Sequence, residues 1–267
     1  TITVNPSAQV NDVTNYNTIL CDGEFTPVYS FTTANTDGLT SFNWTNNNVA
    51  IGLAASGEGG IPSFQVTNST QSTISATITV TPSYENNGII CDGNAETFTI
   101  TVNPSPEMDN VEDVVLCNNE ISSIIEFTTP NTDGNTTYTW TNDNTSIGLS
   151  STGNGDIPSF TALNLSPITE VATITVTPTY ENNGVVCIGD PQTFSISVLS
   201  EIEITGTTVD ALDCNDPNSG NINITVTGGS GVYDFLWSNG AITEDLNNIG
   251  PGDYSVTVTD SEGCTAI

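Results

Sequence analysis

The 267-residue sequence predicts an all-β chain, a tandem of immunoglobulin-like β-sandwich domains arranged as an elongated rod. Three observations predict it. Apolar residues alternate with polar ones at a period of two, tight-turn dipeptides separate the alternating runs, and one unit of about a hundred residues recurs almost unchanged.

The alternation is clearest in Glu96–Asn103, where Phe98, Ile100 and Val102 are apolar and the intervening residues are Thr. Ile78 and Val80 follow the same rule, as do Ile222, Ile224 and Val226, and Tyr254, Val256 and Val258. A period of two sends one face of a strand to a core and the other to water. Threonine suits the wet face because it is β-branched yet polar. Asn87-Gly88, Asn183-Gly184, Asn239-Gly240, Asp37-Gly38 and Asp133-Gly134 mark hairpins or tight turns. No stretch carries helical periodicity.

The segment Cys21–Phe98 recurs as Cys117–Phe194 at a constant offset of 96 residues, without a gap. Trp44 matches Trp140, Ile51-Gly52-Leu53 matches Ile147-Gly148-Leu149, and Ile61-Pro62-Ser63-Phe64 matches Ile157-Pro158-Ser159-Phe160. The motif Thr99–Pro104 that closes the first unit also stands at residues 1–6, offset by 98. Residues 1–6 are therefore expected to be the closing strand of an upstream unit. Sandwich 1 then covers 7–104, sandwich 2 covers 105–199, and a shorter third sandwich covers 200–267. In the third, Trp237 follows Cys214 by 23 residues, the separation found between Cys21 and Trp44 and between Cys117 and Trp140. Trp44, Trp140 and Trp237 each end an aromatic-x-Trp triplet and are predicted core aromatics. The linker Asn103-Pro104-Ser105-Pro106 is stiffened by proline. The second junction, Val198–Ile202, has neither Pro nor Gly and is expected to run strand into strand.

The chain has 31 Asp plus Glu and no Lys, Arg or His. Nothing in it can neutralise phosphates, so nucleic-acid binding is excluded as a role. An anionic membrane surface repels it. It has no imidazole to move protons near neutral pH and no cation to hold an anionic substrate. An enzyme is not expected.

Six cysteines fall two per unit. Cys21 and Cys91 are 70 positions apart, as are Cys117 and Cys187, and Cys214 and Cys264 are 50 apart. Thiolate metal sites and catalytic cysteines need neighbours this sequence lacks. Structural disulfides in an oxidising, extracellular setting remain. Of the fifteen pairings six cysteines allow, the repeat favours one bond closed within each unit. On that pairing, Cys214–Cys264 brings Asp213, Asp216 and Asp210 towards Asp260 and Glu262, and Cys21–Cys91 brings Asp22 and Glu24 towards Asp92. Clustered carboxylates without cations are oxygen ligands for Ca2+, which makes Asp213, Asp216 and Asp260 the candidate metal residues. The alternative is that Asp, Asn and Gly beside cysteine simply build turns. Ca2+ is the one cofactor the sequence suggests. The glycine clusters Gly57–Gly60 and Gly228–Gly231 precede neither Lys nor a helix, and read as turns between strands.

The first two units resemble the PKD-like domains of Bacteroidota surface proteins. The resemblance rests on Cys21-Asp-Gly23, Trp-Thr-Asn, the Ile-Gly-Leu to Ile-Pro-Ser-Phe segment, Ala-Thr-Ile-Thr-Val-Thr-Pro and the closing Thr-Val-Asn-Pro. The third resembles the SprB repeat through Thr227-Gly-Gly-Ser-Gly-Val-Tyr233, Trp237-Ser-Asn-Gly240, Gly252–Asp260 and Gly263-Cys264. The resemblance implies a repeat-stalk segment of a very large cell-surface adhesin of the SprB type, serving gliding motility and surface attachment. It also implies export by type IX secretion and attachment at the outer membrane. Implied partners are neighbouring repeats of the same chain, the outer-membrane secretion and gliding machinery, and surface polysaccharide or substratum reached through other parts of the protein. The competing expectation is an accessory polysaccharide-binding or spacer module of a secreted hydrolase.

Overall fold

A computed structural model describes residues 4–209 and 218–267. Among them the regular elements are strands and three short 3-10 turns, with no α-helix. Among the described residues no helix is long and apolar enough to cross a membrane.

The first sheet contains β1 (Thr18–Cys21), β2 (Leu39–Asn46), β3 (Ser56–Glu58), β4 (Ile74–Asn86), β5 (Ile89–Asp92) and β6 (Glu96–Asn103). Its order is β1-β6-β4-β2-β3, with β5 on β4. Strand β1 runs parallel to β6, and the other pairs are antiparallel. A central three-strand set with a buried Trp on one member is the front sheet of an immunoglobulin domain. Here that set is β6, β4 and β2, and Trp44 lies on β2. The facing layer is looser. Two extended segments meet at the bridges Phe25↔Gln65 and Tyr29↔Ile61.

The second sheet repeats the plan with β7 (Val114–Leu116), β8 (Asn135–Asn142), β9 (Thr152–Asn154), β10 (Glu170–Asn182), β11 (Val185–Ile188) and β12 (Gln192–Val198). Its order is β7-β12-β10-β8-β9, with β11 on β10. Two three-stranded sheets follow. One holds β13 (Glu203–Val209), β14 (Gly220–Thr227) and β16 (Leu246–Ile249); the other holds β15 (Tyr233–Trp237), β17 (Val256–Asp260) and β18 (Thr265–Ala266). Residues 199–202 belong to no strand, so the second junction interrupts the strands that were expected to run on.

Contacts divide the chain into two compact units. One comprises Thr1–Asp109, Thr128–Tyr138 and Thr177–Pro191, and the other Asn110–Phe127, Thr139–Val176 and Gln192–Ile267. In the first unit the alternating residues Ile78, Val80, Phe98, Ile100 and Val102 pack with Trp44, Tyr29 and Ile61, all nearly inaccessible to water. In the second, Trp140, Ile147, Ile157, Ile174, Val176 and Ile196 are buried. A further cluster there joins Leu199, Ile202, Ile224, Trp237, Leu246, Val256 and Val258.

The recurring motifs have local causes. Asn87 and Gly88 both sit at positive φ (51° and 76°), the conformation a two-residue hairpin turn requires. In Ile51-Gly52-Leu53, a 3-10 turn drops Ile51 into the core and ends at Gly52 with φ 90°. The cluster Gly57–Gly60, read as a turn, is in part a packing device. Gly57 lies in β3 under the indole of Trp44, where an added Cβ would stand 2.2 Å from Cζ2. Gly153 stands in the same relation to Trp140, at 2.1 Å. Gly57→Ala forces the buried ring to move and is expected to cost about 2 kcal/mol, read by urea denaturation. A G57A protein as stable as the parent would show that the indole does not need that space.

Candidate functional site: a disulfide-stapled repeat junction

Cys21 bonds Cys187, and Cys117 bonds Cys264. The expected bonds Cys21–Cys91, Cys117–Cys187 and Cys214–Cys264 are replaced, and Cys91 is a free, half-buried thiol. Cys214 lies outside the described residues.

The long strand β4 explains why the bonds run between repeats. Cys21 stands beside Asn103, at the end of the sheet where Val102 meets Ile74. Cys91 stands opposite Tyr84. From residue 74 to residue 84 a strand advances roughly 33 Å, whereas disulfide-bonded Cα atoms lie about 4.4–6.8 Å apart. The two cysteines of one repeat are therefore at opposite ends of it. Cys187 is likewise opposite Tyr180 on the β10–β11 hairpin, and that hairpin brings it to Cys21, with Cα atoms 5.6 Å apart.

Polar contacts surround this bond within the first unit. Thr73 Oγ1 donates to Asn103 Oδ1 (3.1 Å) and accepts from Asn182 Nδ2 (2.7 Å). Asn103 Nδ2 donates to the Asn182 carbonyl at 3.5 Å. Asn131 Nδ2 donates to the Ser105 carbonyl (3.0 Å) and to Gln71 Oε1 (3.1 Å), while its Oδ1 accepts from Glu107 N–H (2.6 Å). Pro104 and Pro106 are buried, so the linker is a packed segment tied down on both sides.

In the second unit, Leu199 occupies the place of Asn103 and the chemistry becomes apolar. Leu199 N–H donates to the Leu116 carbonyl at 2.9 Å, and its side chain joins the cluster with Ile202 and Trp237. Cys117 packs against the same cluster and carries the bond to Cys264.

Of the carboxylates singled out in the sequence, Asp22, Glu24 and Asp260 accept hydrogen bonds from the backbone. Asp22 Oδ1 accepts from Asn68 N–H (2.7 Å) and its Oδ2 accepts from Ser105 Oγ (3.0 Å). Asn118 replaces it in the second repeat and accepts the same bond from Asn164 N–H, at 2.8 Å. Glu24 and Glu120 each accept from the N–H of the cysteine three residues earlier. Asp113 accepts from Ser195 N–H at 2.6 Å, and that bond holds its carboxyl below the ordinary 3.8. Asn17 makes the equivalent bond to Thr99 N–H without a titrating group.

Asp260 is buried. Its Oδ1 accepts from Glu262 N–H (3.0 Å) and Cys264 N–H (2.9 Å), and its Oδ2 accepts from Ser230 N–H (2.8 Å). Tyr233 donates its hydroxyl to the Gly228 carbonyl. Burial first, and then the negative charge of Asp260, push the Tyr233 pKa up. Together these bonds shape Gly228–Gly231 into a pinned loop. Asp213 and Asp216 lie outside the described residues, and the bond that would have drawn them to Asp260 is replaced by Cys117–Cys264. Among the described residues no three acidic, His or Cys side chains group as a metal site. Trp44, Trp140 and Trp237 are buried in the cores, and Trp237 Nε1 donates to the Thr243 carbonyl at 2.7 Å.

Fold and site thus define a class: an all-β chain of sandwich repeats, closed by bonds between successive repeats. A family model described as the SprB repeat matches residues 205–242. That span includes the Thr227–Tyr233 loop and Trp237. No curated protein matches the chain. Among solved structures, mouse cadherin-23 EC22-24 is similar over 95% of this chain and 93% of its own, at 12% identity and a TM-score of 0.38. Chicken CNTN1 FN1-FN3 domains are similar over 90% of each chain, at 11% identity and a TM-score of 0.26. Drosophila N-cadherin EC1-4 covers 94% of this chain with 71% of its own, at 12% identity and a TM-score of 0.33.

Proposed function

We propose that this chain is a non-catalytic stalk segment of a large cell-surface adhesin, exported to the outer membrane and serving attachment and gliding motility. The observation that supports it most is the placement of the disulfides. Each joins the first cysteine of one repeat to the last cysteine of the next. A bond within one repeat shields only that repeat; a bond from one repeat to the next carries tension past the residues between its two cysteines. The SprB-repeat match at 205–242 and the PKD-like motifs of the first two repeats support the same reading. The absence of Lys and Arg leaves no trypsin-type cleavage site, which suits an exposed surface molecule.

Pulling single molecules by their two ends tests the mechanical role. With Cys21–Cys187 intact, the 166 positions between the two cysteines are bypassed by the covalent path. At the ~3.3–3.6 Å a fully extended residue spans, reduction is expected to add roughly 550–600 Å of extension. Equal extension with and without reductant would overturn the role. Binding of this segment to a polysaccharide array would favour an accessory module of a secreted hydrolase instead.

A further inference from the structure

We propose that Cys91 is the acceptor for a disulfide from a preceding repeat of the same kind, so that the stapling forms a continuous series. This rests on the reading of the chain as part of a repeat array.

Two independent observations carry it. The first is equivalence. Cys91 matches Cys187 at the offset of 96, and the two occupy the same register, opposite Tyr84 and Tyr180. Cys187 is buried at 2% exposure where Cys21 covers it, while Cys91 is half-buried and neighbouring Ile89 is 61% exposed. The second is the closing motif. Asn103 stands beside Cys21 in register and donates to the Asn182 carbonyl on the hairpin that carries Cys187. Asn5 is the Asn of the same hexapeptide, and it donates to the Asn86 carbonyl, the equivalent atom on the hairpin that carries Cys91, at 3.4 Å. Val4, Asn5, Asn86, Asn87, Ile89 and Cys91 line one recess. A strand pairing beside Asn5, as β1 pairs beside Asn103, brings its cysteine to Cys91.

In the step itself, two thiols lose two protons and two electrons and form one S–S bond. The oxidant is a small-molecule or protein disulfide, which leaves as two thiols.

The test adds one repeat. Residues 99–104 and 1–6 are identical, so a second copy of residues 7–98 is placed directly before Thr1, with its own Cys91→Ser so that it adds no second free thiol and with Glu24→Gln to mark its Cys21 peptide by mass. The oxidised protein is alkylated without reductant, digested with pepsin at low pH because trypsin has no site, and mapped by mass spectrometry. In the parent chain Cys91 is alkylated. In the extended chain the expected result is loss of that alkylation and a peptide joining Cys91 to the added copy of Cys21. Changing that added cysteine to Ser is expected to restore alkylation. Persistent alkylation of Cys91, or its bonding to Cys21 of its own repeat, overturns the proposal. The Cys21–Cys187 peptide in the same digest reports that the chain has folded. Failure here leaves the force measurement, and hence the stalk reading, standing.

Discussion

Cys187→Ser is expected to destabilise the unit that contains it by roughly 5 kcal/mol, while Cys91→Ser leaves stability unchanged. The Cys21–Cys187 bond spans 166 positions. In the chain-entropy model, cross-linking a loop of that length removes about 5 kcal/mol of denatured-state freedom. The bond also holds the β10–β11 hairpin against β1. Its loss releases the contacts of Thr73 with Asn103 and Asn182. Urea denaturation of C187S, C21S and the double variant checks the argument. The two single variants and the double should agree, because each removes the same bond. Pairing within a repeat makes the opposite prediction, in which C91S is as harmful as C21S and C187S is matched by C117S. That outcome would overturn the staple.

Asp260→Ala is expected to cost about 3–5 kcal/mol, confined to the region around the two three-stranded sheets. The side chain is buried and accepts from three backbone N–H groups, those of Ser230, Glu262 and Cys264. Alanine leaves those donors without their acceptor, at about 1–3 kcal/mol for each one that stays buried. Asp260→Asn should fall between the two. One amide oxygen can still serve Glu262 and Cys264, but the amide nitrogen then faces the Ser230 donor. Hydrogen exchange at the Cys264 and Ser230 amides reads the loss directly. The loss should be the same in calcium and in chelator. A loss seen only in calcium would return Asp260 to the role of a cation ligand.

The glycine clusters divide along the same line between sequence and structure. As turn-formers they were legible from composition, and Gly59 does adopt a positive φ of 71°. That Gly57 is a floor for Trp44 was not legible, because the two are thirteen positions apart and meet only when β2 and β3 pair. The signal available was the joint recurrence of Trp and Gly at the same offset in both repeats.

Taken alone, the sequence determined the strands, the turns and the repeat. These follow from local rules: a period of two sorts faces, Asn-Gly accepts positive φ, and near-identical segments fold alike. It also determined that six cysteines are available and that no side-chain ion pair with Lys, Arg or His can form. Only the tertiary structure decided which cysteines meet. The equal spacing of 70 in the first two repeats measures distance along the chain, and a chain that runs out along β4 and turns at Asn87-Gly88 ends far from where it began. Strand length and register put the two cysteines of the first repeat at opposite ends, and so the partners of Cys21 and Cys117 are found in the repeat that follows each.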